Sequence, residues 1–160
     1  MFDVAIVGFG PTGAVAAGLL GLQGIRTFVC DELTEVYDKP RAIALDHEIM
    51  RVFQQLGIAQ ALEPFTEPFT NSEFYGVDGQ LIKCMSTVAP PYPLGFTPSL
   101  VFTQPAMEAV LRQRVSSMPS VQVNLGHKVT GLQPSDDAVT LTVTDAQGQT
   151  RDVSARYLIA

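Results

Sequence analysis

Phe2-Asp3-Val4-Ala5-Ile6-Val7-Gly8-Phe9-Gly10-Pro11-Thr12-Gly13, followed by the small, apolar stretch Ala14 to Leu22, decides the fold of this chain. The run Phe2 to Val7 is apolar except for Asp3 and is short enough for a strand buried on both faces. The three glycines supply a tight turn, and Ala14 to Leu22 reads as a buried helix. Gly24 closes that helix, and Ile25-Arg26-Thr27-Phe28-Val29-Cys30 is a β-branched and aromatic run ending at the acidic pair Asp31-Glu32, hence a second strand. Strand, helix and strand within about 30 residues form a crossover unit, which imposes parallel pairing.

Outward from this unit the chain changes character in steps. Leu33 to Ala44 lacks periodicity and contains Pro40, which predicts a loop. Asp46 is a good N-cap, and Ile49, Val52, Phe53 and Leu56 recur at helical spacing up to Gly57, predicting a helix of about ten residues. Residues 64 to 103 are punctuated by Pro64, Pro68, Pro90, Pro91, Pro93 and Pro98. Within them Asp78-Gly79 separates the strand-like runs Glu73 to Val77 and Gln80 to Met85, a strong hairpin signal. This segment is expected to be an excursion of antiparallel strands and proline loops from the main domain. Pro105 then opens a helix carrying Met107, Val110, Leu111, Val115 and Met118 on one face, with Gln104 at its lip. The alternating runs Val121-Val123-Leu125, Val139-Leu141-Val143 and Val153-Ala155-Tyr157-Ile159 predict a C-terminal three-stranded antiparallel meander. The fold class is therefore α/β, a Rossmann-like βαβ unit with an antiparallel excursion and a meander.

Composition bounds the function. The 160 residues, 46% hydrophobic and 16% charged with a mean hydropathy of +0.20, can bury a core and exclude a disordered or collagen-like chain. A net charge of −6 and a pI near 4.7 have the wrong sign for a chain living on nucleic-acid phosphate or an anionic membrane. No window reaches the roughly 18 to 20 apolar residues of a membrane span. Asp3, and the break of the apolar run at Gly8, do not suit a signal peptide. Cys30 and Cys84 make neither a disulfide framework nor a metal-ligand spacing, so a cytoplasmic location and no metal are expected. His47, in the first turn of its helix, and His127, at a strand end, read as surface residues with no nucleophile or ligand set beside them.

An anionic ligand of so acidic a chain must be held locally, and the glycine turn is such a device. Gly8 permits the turn, Gly10 lets backbone approach a pyrophosphate, and Gly13 lets helix and strand pack. The helix N-terminus at Pro11 and Thr12 adds free N–H groups and a positive dipole end. Asp31, about 20 residues beyond, is placed to accept from the ribose hydroxyls of an adenosine. This motif serves NAD or FAD alike. A nicotinamide-binding half would continue with further parallel crossovers, whereas this chain goes on to an arginine-bearing loop, a strand excursion, a helix and a meander, which favours FAD.

Gly8 to Gly13, Asp31, the stretch Asp38-Lys39-Pro40-Arg41-Ala42-Ile43-Ala44-Leu45-Asp46-His47-Glu48, and Gln104-Pro105 before a helix together resemble the flavoprotein aromatic hydroxylases of the para-hydroxybenzoate hydroxylase fold. Within that group the Pro-Arg-Ala-Ile-x-x-Asp-x-Glu stretch is most similar to the 3-(3-hydroxyphenyl)propionate hydroxylases. The resemblance spans the chain and implies FAD, with NADH or NADPH as co-substrate, O2, and a phenolic acid as the substrate. It implies that the glycines and Asp31 hold the ADP half of FAD, that Arg41 lies beside the pyrophosphate and flavin, that Gln104 contacts the cofactor, and that Val129 offers backbone to the adenine. A guanidinium in the loop after the Asp31 strand also suits bidentate phosphate contact on its own chemistry. Glutamate is commoner than aspartate at the position of Asp31 in the family, and Glu32 is a second acidic candidate for the ribose. No catalytic residue is assigned. The resemblance further implies that residues 1–160 are the N-terminal portion of a discontinuous FAD-binding domain, with 64–103 directed toward a substrate-binding sheet, and that more chain follows Ala160. A homodimer is left open. Other enzymes of the same fold, such as a polyketide hydroxylase or halogenase, and a non-catalytic nucleotide-binding fragment are the alternatives.

Overall fold

The computed structural model describes residues 1–39 and 41–160. Pro40, placed in the expected loop, lies outside them. The contacts divide the chain into two compact units, Met1–Asp38 with Glu108–Ala160, and Lys39–Met107.

The first unit is built on the crossover expected at the start. Strand β1 (Phe2–Val7), helix α1 (Pro11–Leu22) and strand β2 (Thr27–Asp31) follow in order. β1 and β2 pair in parallel from Val4 opposite Thr27 to Val7 opposite Cys30. Asp3, which interrupts the apolar run, has a structural reason. Its carboxylate accepts from the Arg26 backbone N–H and Nε, both at 3.2 Å, and so ties the start of β1 to the start of β2. That guanidinium holds the Asp3 carboxyl below its usual range. Ala5, Phe28 and Cys30, together with Val139, Leu141, Val143, Val153 and Ala155, form a buried cluster, and Ala14 and Ala17 of α1 are also buried. Continuous apolar strands are what a sheet covered on both faces requires.

The second unit starts with β3 (Ala44–Asp46) and α2 (His47–Gln55). Asp46 Oδ1 accepts from the Ile49 N–H at 2.9 Å, the expected cap. The buried residues of α2 are Met50 and Phe53, followed by the buried C-cap Leu56, whereas Ile49 is 42% exposed. A short helix α3 (Ala59–Leu62), a 3-10 turn (Glu63–Phe65), β4 (Thr66–Pro68), β5 (Ser72–Tyr75), β6 (Leu81–Met85) and β7 (Ser99–Phe102) follow. β5 and β6 form the antiparallel hairpin that Asp78-Gly79 predicts, with Gly79 at φ +75°. β3, β7 and β4 form a separate antiparallel sheet in that order, with Pro68 ending an edge strand, where a missing N–H is harmless.

Helix α4 (Gln104–Ser116) leads back to β8 (Val121–Leu125), β9 (Lys128–Pro134), β10 (Val139–Thr144) and β11 (Thr150–Ile159). The six-stranded sheet runs β8-β2-β1-β11-β10-β9. A three-stranded antiparallel meander is present, but its members differ from expectation. Val121–Leu125 is not its first strand: it pairs in parallel with β2, from Thr27 opposite Val121 to Asp31 opposite Leu125. The meander is β9-β10-β11, and β11 also pairs in parallel with β1. A strand fed by a helix returns parallel to its neighbour, and period two reports one-sided burial without naming the partner.

Candidate cofactor site

The glycine turn joins β1 to α1 and is stitched to the end of β2. The Gly8 N–H donates to the Cys30 carbonyl at 2.8 Å, and the Phe9 N–H donates to Asp31 Oδ2 at 2.6 Å. Gly8 stands at φ +103°, a region that side-chain-bearing residues avoid. A β-carbon on Gly13 would stand 2.0 Å from the Gly8 carbonyl oxygen, so the first turn of α1 packs against β1 only because that carbon is missing. At Gly8 and Gly10 a β-carbon would meet nothing within 4 Å, so both face open space. Gly10 is the N-cap of α1 and Pro11 opens the helix, with no side chain capping the free N–H groups beyond it.

Beside this turn is a cavity of about 370 Å³ lined by Val7, Gly8, Cys30, Asp31, Glu32, His127, Lys128 and Val129. Four of the residues expected to serve a cofactor, Gly8, Asp31, Glu32 and Val129, thus surround one space. Their assembly follows from the sheet order: β2 ends at Asp31, and the link from β8 to β9 passes over it, with the His127 N–H donating to the Asp31 carbonyl at 2.9 Å. Lys128 Nζ lies 3.4 Å from Glu32 Oε2 at the rim. A cleft of about 460 Å³ elsewhere, between the β9–β10 turn and Arg156 to Leu158, contains none of the glycine-turn residues.

Asp31 does more than face the cavity. Its Oδ2 holds the Phe9 N–H, and its Oδ1 accepts from the Leu33 N–H at 2.8 Å. The shorter side chain therefore reaches back to the turn, while Glu32 is exposed at the rim. Burial, with the neighbouring Asp31 charge, pushes the Cys30 thiol up to about 11, so it stays protonated.

In the second unit the structure brings Arg41 and Gln104 together. Gln104, 5% exposed, accepts through Oε1 from the Arg41 and Ala42 N–H groups at 2.6 and 2.8 Å. The glutamine thereby fixes the backbone of the arginine loop. His47 is half-buried, with Nδ1 enclosed and unpartnered, rather than a plain surface residue. His127 lines the cavity, its Nδ1 2.7 Å from the Leu125 carbonyl. Lys128 and two buried charged residues of α4, Glu108 at 2% exposure and Arg112 at 8%, were not singled out by the sequence. The only available signal for the pair on α4 was helical spacing, since they flank the apolar stripe of Met107, Leu111 and Val115.

These residues fit a dinucleotide: open backbone at a glycine turn, a helix N-terminus, carboxylates beyond it and a cavity of ligand size. The family described as FAD binding domain matches residues 1–160. The chain belongs to the FAD-binding-domain family.

Relatives named as hydroxylases are similar in sequence. The 3-(3-hydroxy-phenyl)propionate/3-hydroxycinnamic acid hydroxylase 1 of Burkholderia vietnamiensis (strain G4 / LMG 22486) is 38% identical over 158 residues, 98% of this chain and 25% of its own length. A relative from Rhodococcus jostii (strain RHA1) named "Probable NADH-specific resorcinol 4-hydroxylase" is 36% identical, over 98% of this chain and 30% of its own. The chain thus spans about a quarter of the length of the curated relatives it matches. Among solved structures, p-nitrophenol 4-monooxygenase from Pseudomonas putida DLL-E4 superposes with a TM-score of 0.86 over 99% of this chain and 40% of its own, at 23% identity, which bears on the fold. The flavin-dependent monooxygenase PieE, solved with FAD and substrate, superposes with a TM-score of 0.81 at 25% identity, over 98% of this chain and 29% of its own. FAD, the ligand favoured over NAD from the sequence, is the cofactor of this family.

Proposed function

We propose that this chain is the cofactor-holding part of a flavoprotein monooxygenase that uses NADH or NADPH and O2 to hydroxylate a phenolic acid, with 3-(3-hydroxyphenyl)propionate the first candidate. The observation that carries the reading is the 38% identity, over nearly the whole chain, to a hydroxylase of that name, on a chain whose glycine turn and cavity suit FAD. The chemistry FAD supplies when bound is activation of O2 for transfer of one oxygen atom to an electron-rich ring. The protein's share is to bind, orient and shield it.

In this reading the backbone N–H groups of Gly10, Thr12 and Gly13 face the diphosphate from the start of α1. Proline contributes no donor there, and its fixed φ sets the first helical turn. Asp31 holds the turn through Phe9 and shares the ribose hydroxyls with Glu32, whose carboxylate is exposed at the cavity rim. Val129 offers backbone to the adenine. Arg41 and Gln104 serve the diphosphate and flavin side, Gln104 by fixing the loop that carries the guanidinium. Residues 1–160 are the N-terminal portion of a discontinuous FAD-binding domain, and 64–103 reach toward the substrate-binding sheet. The relatives' greater length supports that assignment. The enzyme works in the cytoplasm, where Cys30 and the exposed Cys84 stay reduced. Among the described residues no helix is long and apolar enough to cross a membrane.

The test is NADH and NADPH oxidation by the full protein with and without a panel of phenolic acids, with product analysis. Oxidation that accelerates on adding 3-(3-hydroxyphenyl)propionate, with a ring-hydroxylated product, supports the reading. No acceleration by any phenolic acid refutes it.

A further inference from the structure

Helix α4 buries a guanidinium, two nitrogens of which find no acceptor among the described residues. Arg112 is 8% exposed, and its Nε and Nη1 are enclosed without an acceptor. Neither of the ion pairs Arg26 with Asp3 and Lys128 with Glu32 involves it. Its guanidinium carbon lies 5.1 Å from the centre of the Phe9 ring. Phe9 is 1% exposed and sits between Gly8 and Gly10, so the cation is braced against the glycine turn itself.

An arginine cannot relieve this burial by losing its proton. Taking an unpaired guanidinium out of water costs more than stacking on one phenylalanine returns. The missing term is an anion. The turn it braces is where two open glycine positions and the N-terminus of α1 await one, and α1 carries no basic residue. The nearby ionic groups Asp31 and Glu32 are negative, and Lys128 is already paired with Glu32. A doubly charged ligand entering beside two carboxylates needs a cation with donors to spare.

We propose that Arg112 is a further counter-ion of the FAD diphosphate, besides the Arg41 of that reading, its Phe9-stacked guanidinium completing the anion site that the glycine turn begins. This rests on the FAD reading, and its test separates the two.

Apo-protein is prepared from the full wild-type chain and from Arg112→Met and Arg112→Lys. Each is titrated with FAD, ADP and adenosine, and its thermal midpoint is measured without ligand. Loss of a charge-assisted contact should weaken FAD and ADP about ten- to hundredfold in Arg112→Met. Adenosine, lacking phosphate, should bind as in wild type, and Arg112→Lys should recover part of the loss. The ligand-free Arg112→Met protein should be as stable as wild type or more so, because an uncompensated charge has gone. Unchanged FAD and ADP affinity, an equal loss for adenosine, or a lowered midpoint with unchanged affinity would overturn the proposal, the last pointing to a carboxylate partner elsewhere in the protein. Wild-type protein that binds no FAD would overturn the parent reading instead.

Discussion

Two glycines four residues or fewer from each other should fail in opposite ways when given a methyl group. At Gly13 the new β-carbon stands 2.0 Å from the Gly8 carbonyl oxygen, 3.1 Å from its carbon and 3.3 Å from Ile6 Cγ2, where ordinary contact begins at 3.4 Å. The turn cannot retreat freely, because Gly8 N–H is bonded to the Cys30 carbonyl and Phe9 N–H to Asp31. Overpacking of this kind costs about 1–3 kcal/mol, and a strained hydrogen bond adds about 1 more. At about 2–4 °C per kcal/mol for a chain of this size, Gly13→Ala should lower the ligand-free thermal midpoint by about 5–15 °C. Gly10 stands at φ −72°, ψ −173°, which alanine adopts, and its β-carbon meets nothing within 4 Å. The roughly 0.5–1 kcal/mol by which glycine is the better N-cap is largely offset by the lower unfolded-state entropy of alanine. Gly10→Ala should therefore melt within about 3 °C of wild type, yet lose at least about tenfold in FAD affinity because its methyl fills the space left for phosphate. Calorimetry of the apo-protein and titration followed by flavin fluorescence measure both quantities. A Gly10→Ala protein that keeps its FAD affinity, or a Gly13→Ala protein that melts like wild type, refutes the reasoning.

Three further outcomes follow from the same geometry. Asp31→Asn leaves one acceptor oxygen for the two N–H groups of Phe9 and Leu33, so it should cost about 1–3 kcal/mol in a urea titration and weaken FAD binding as well. Gln104→Leu removes the acceptor shared by the Arg41 and Ala42 N–H groups; hydrogen exchange at those two amides should accelerate while that of Val29 in β2 is unchanged, and equal rates in both proteins would count against it. Cys30, raised from 9.0 to about 11, favours its neutral form in the folded state, so its contribution to stability is present below pH 9 and is lost as pH rises toward 11. The urea midpoint should fall over that window in wild type and less steeply in Cys30→Ala, and at pH 8 a thiol reagent should label Cys84 alone.

Much of the first unit was legible because its strands are buried on both faces. Such strands leave little choice of sequence, and Phe2 to Val7 and Ile25 to Cys30 read as apolar runs for that reason. Local hydrogen bonds were legible too, as with the Asp46 cap and the Asp78-Gly79 hairpin, since their partners lie within a few residues. Pairing over distance was not. Val121–Leu125 alternates as a meander strand would, but alternation cannot say that its neighbour is β2. β9 was missed because Gly131 and the exposed Leu132 break any apolar period. The acidic end of β2 is readable in the sequence and Asp31 lines the cavity, whereas the direction of its carboxylate, toward Phe9 and Leu33, depends on the folded turn. Arg112 was silent for the same reason: a charged residue on a helix is ordinarily solvated, and only tertiary packing encloses it.

Equilibrium titration of the apo-protein with FAD, with ADP as competitor, tests most directly whether the glycine turn and its cavity hold the ADP half of a flavin. Saturable binding of one FAD per chain, displaced by ADP, is expected. No binding, or FAD binding that ADP leaves untouched, contradicts it.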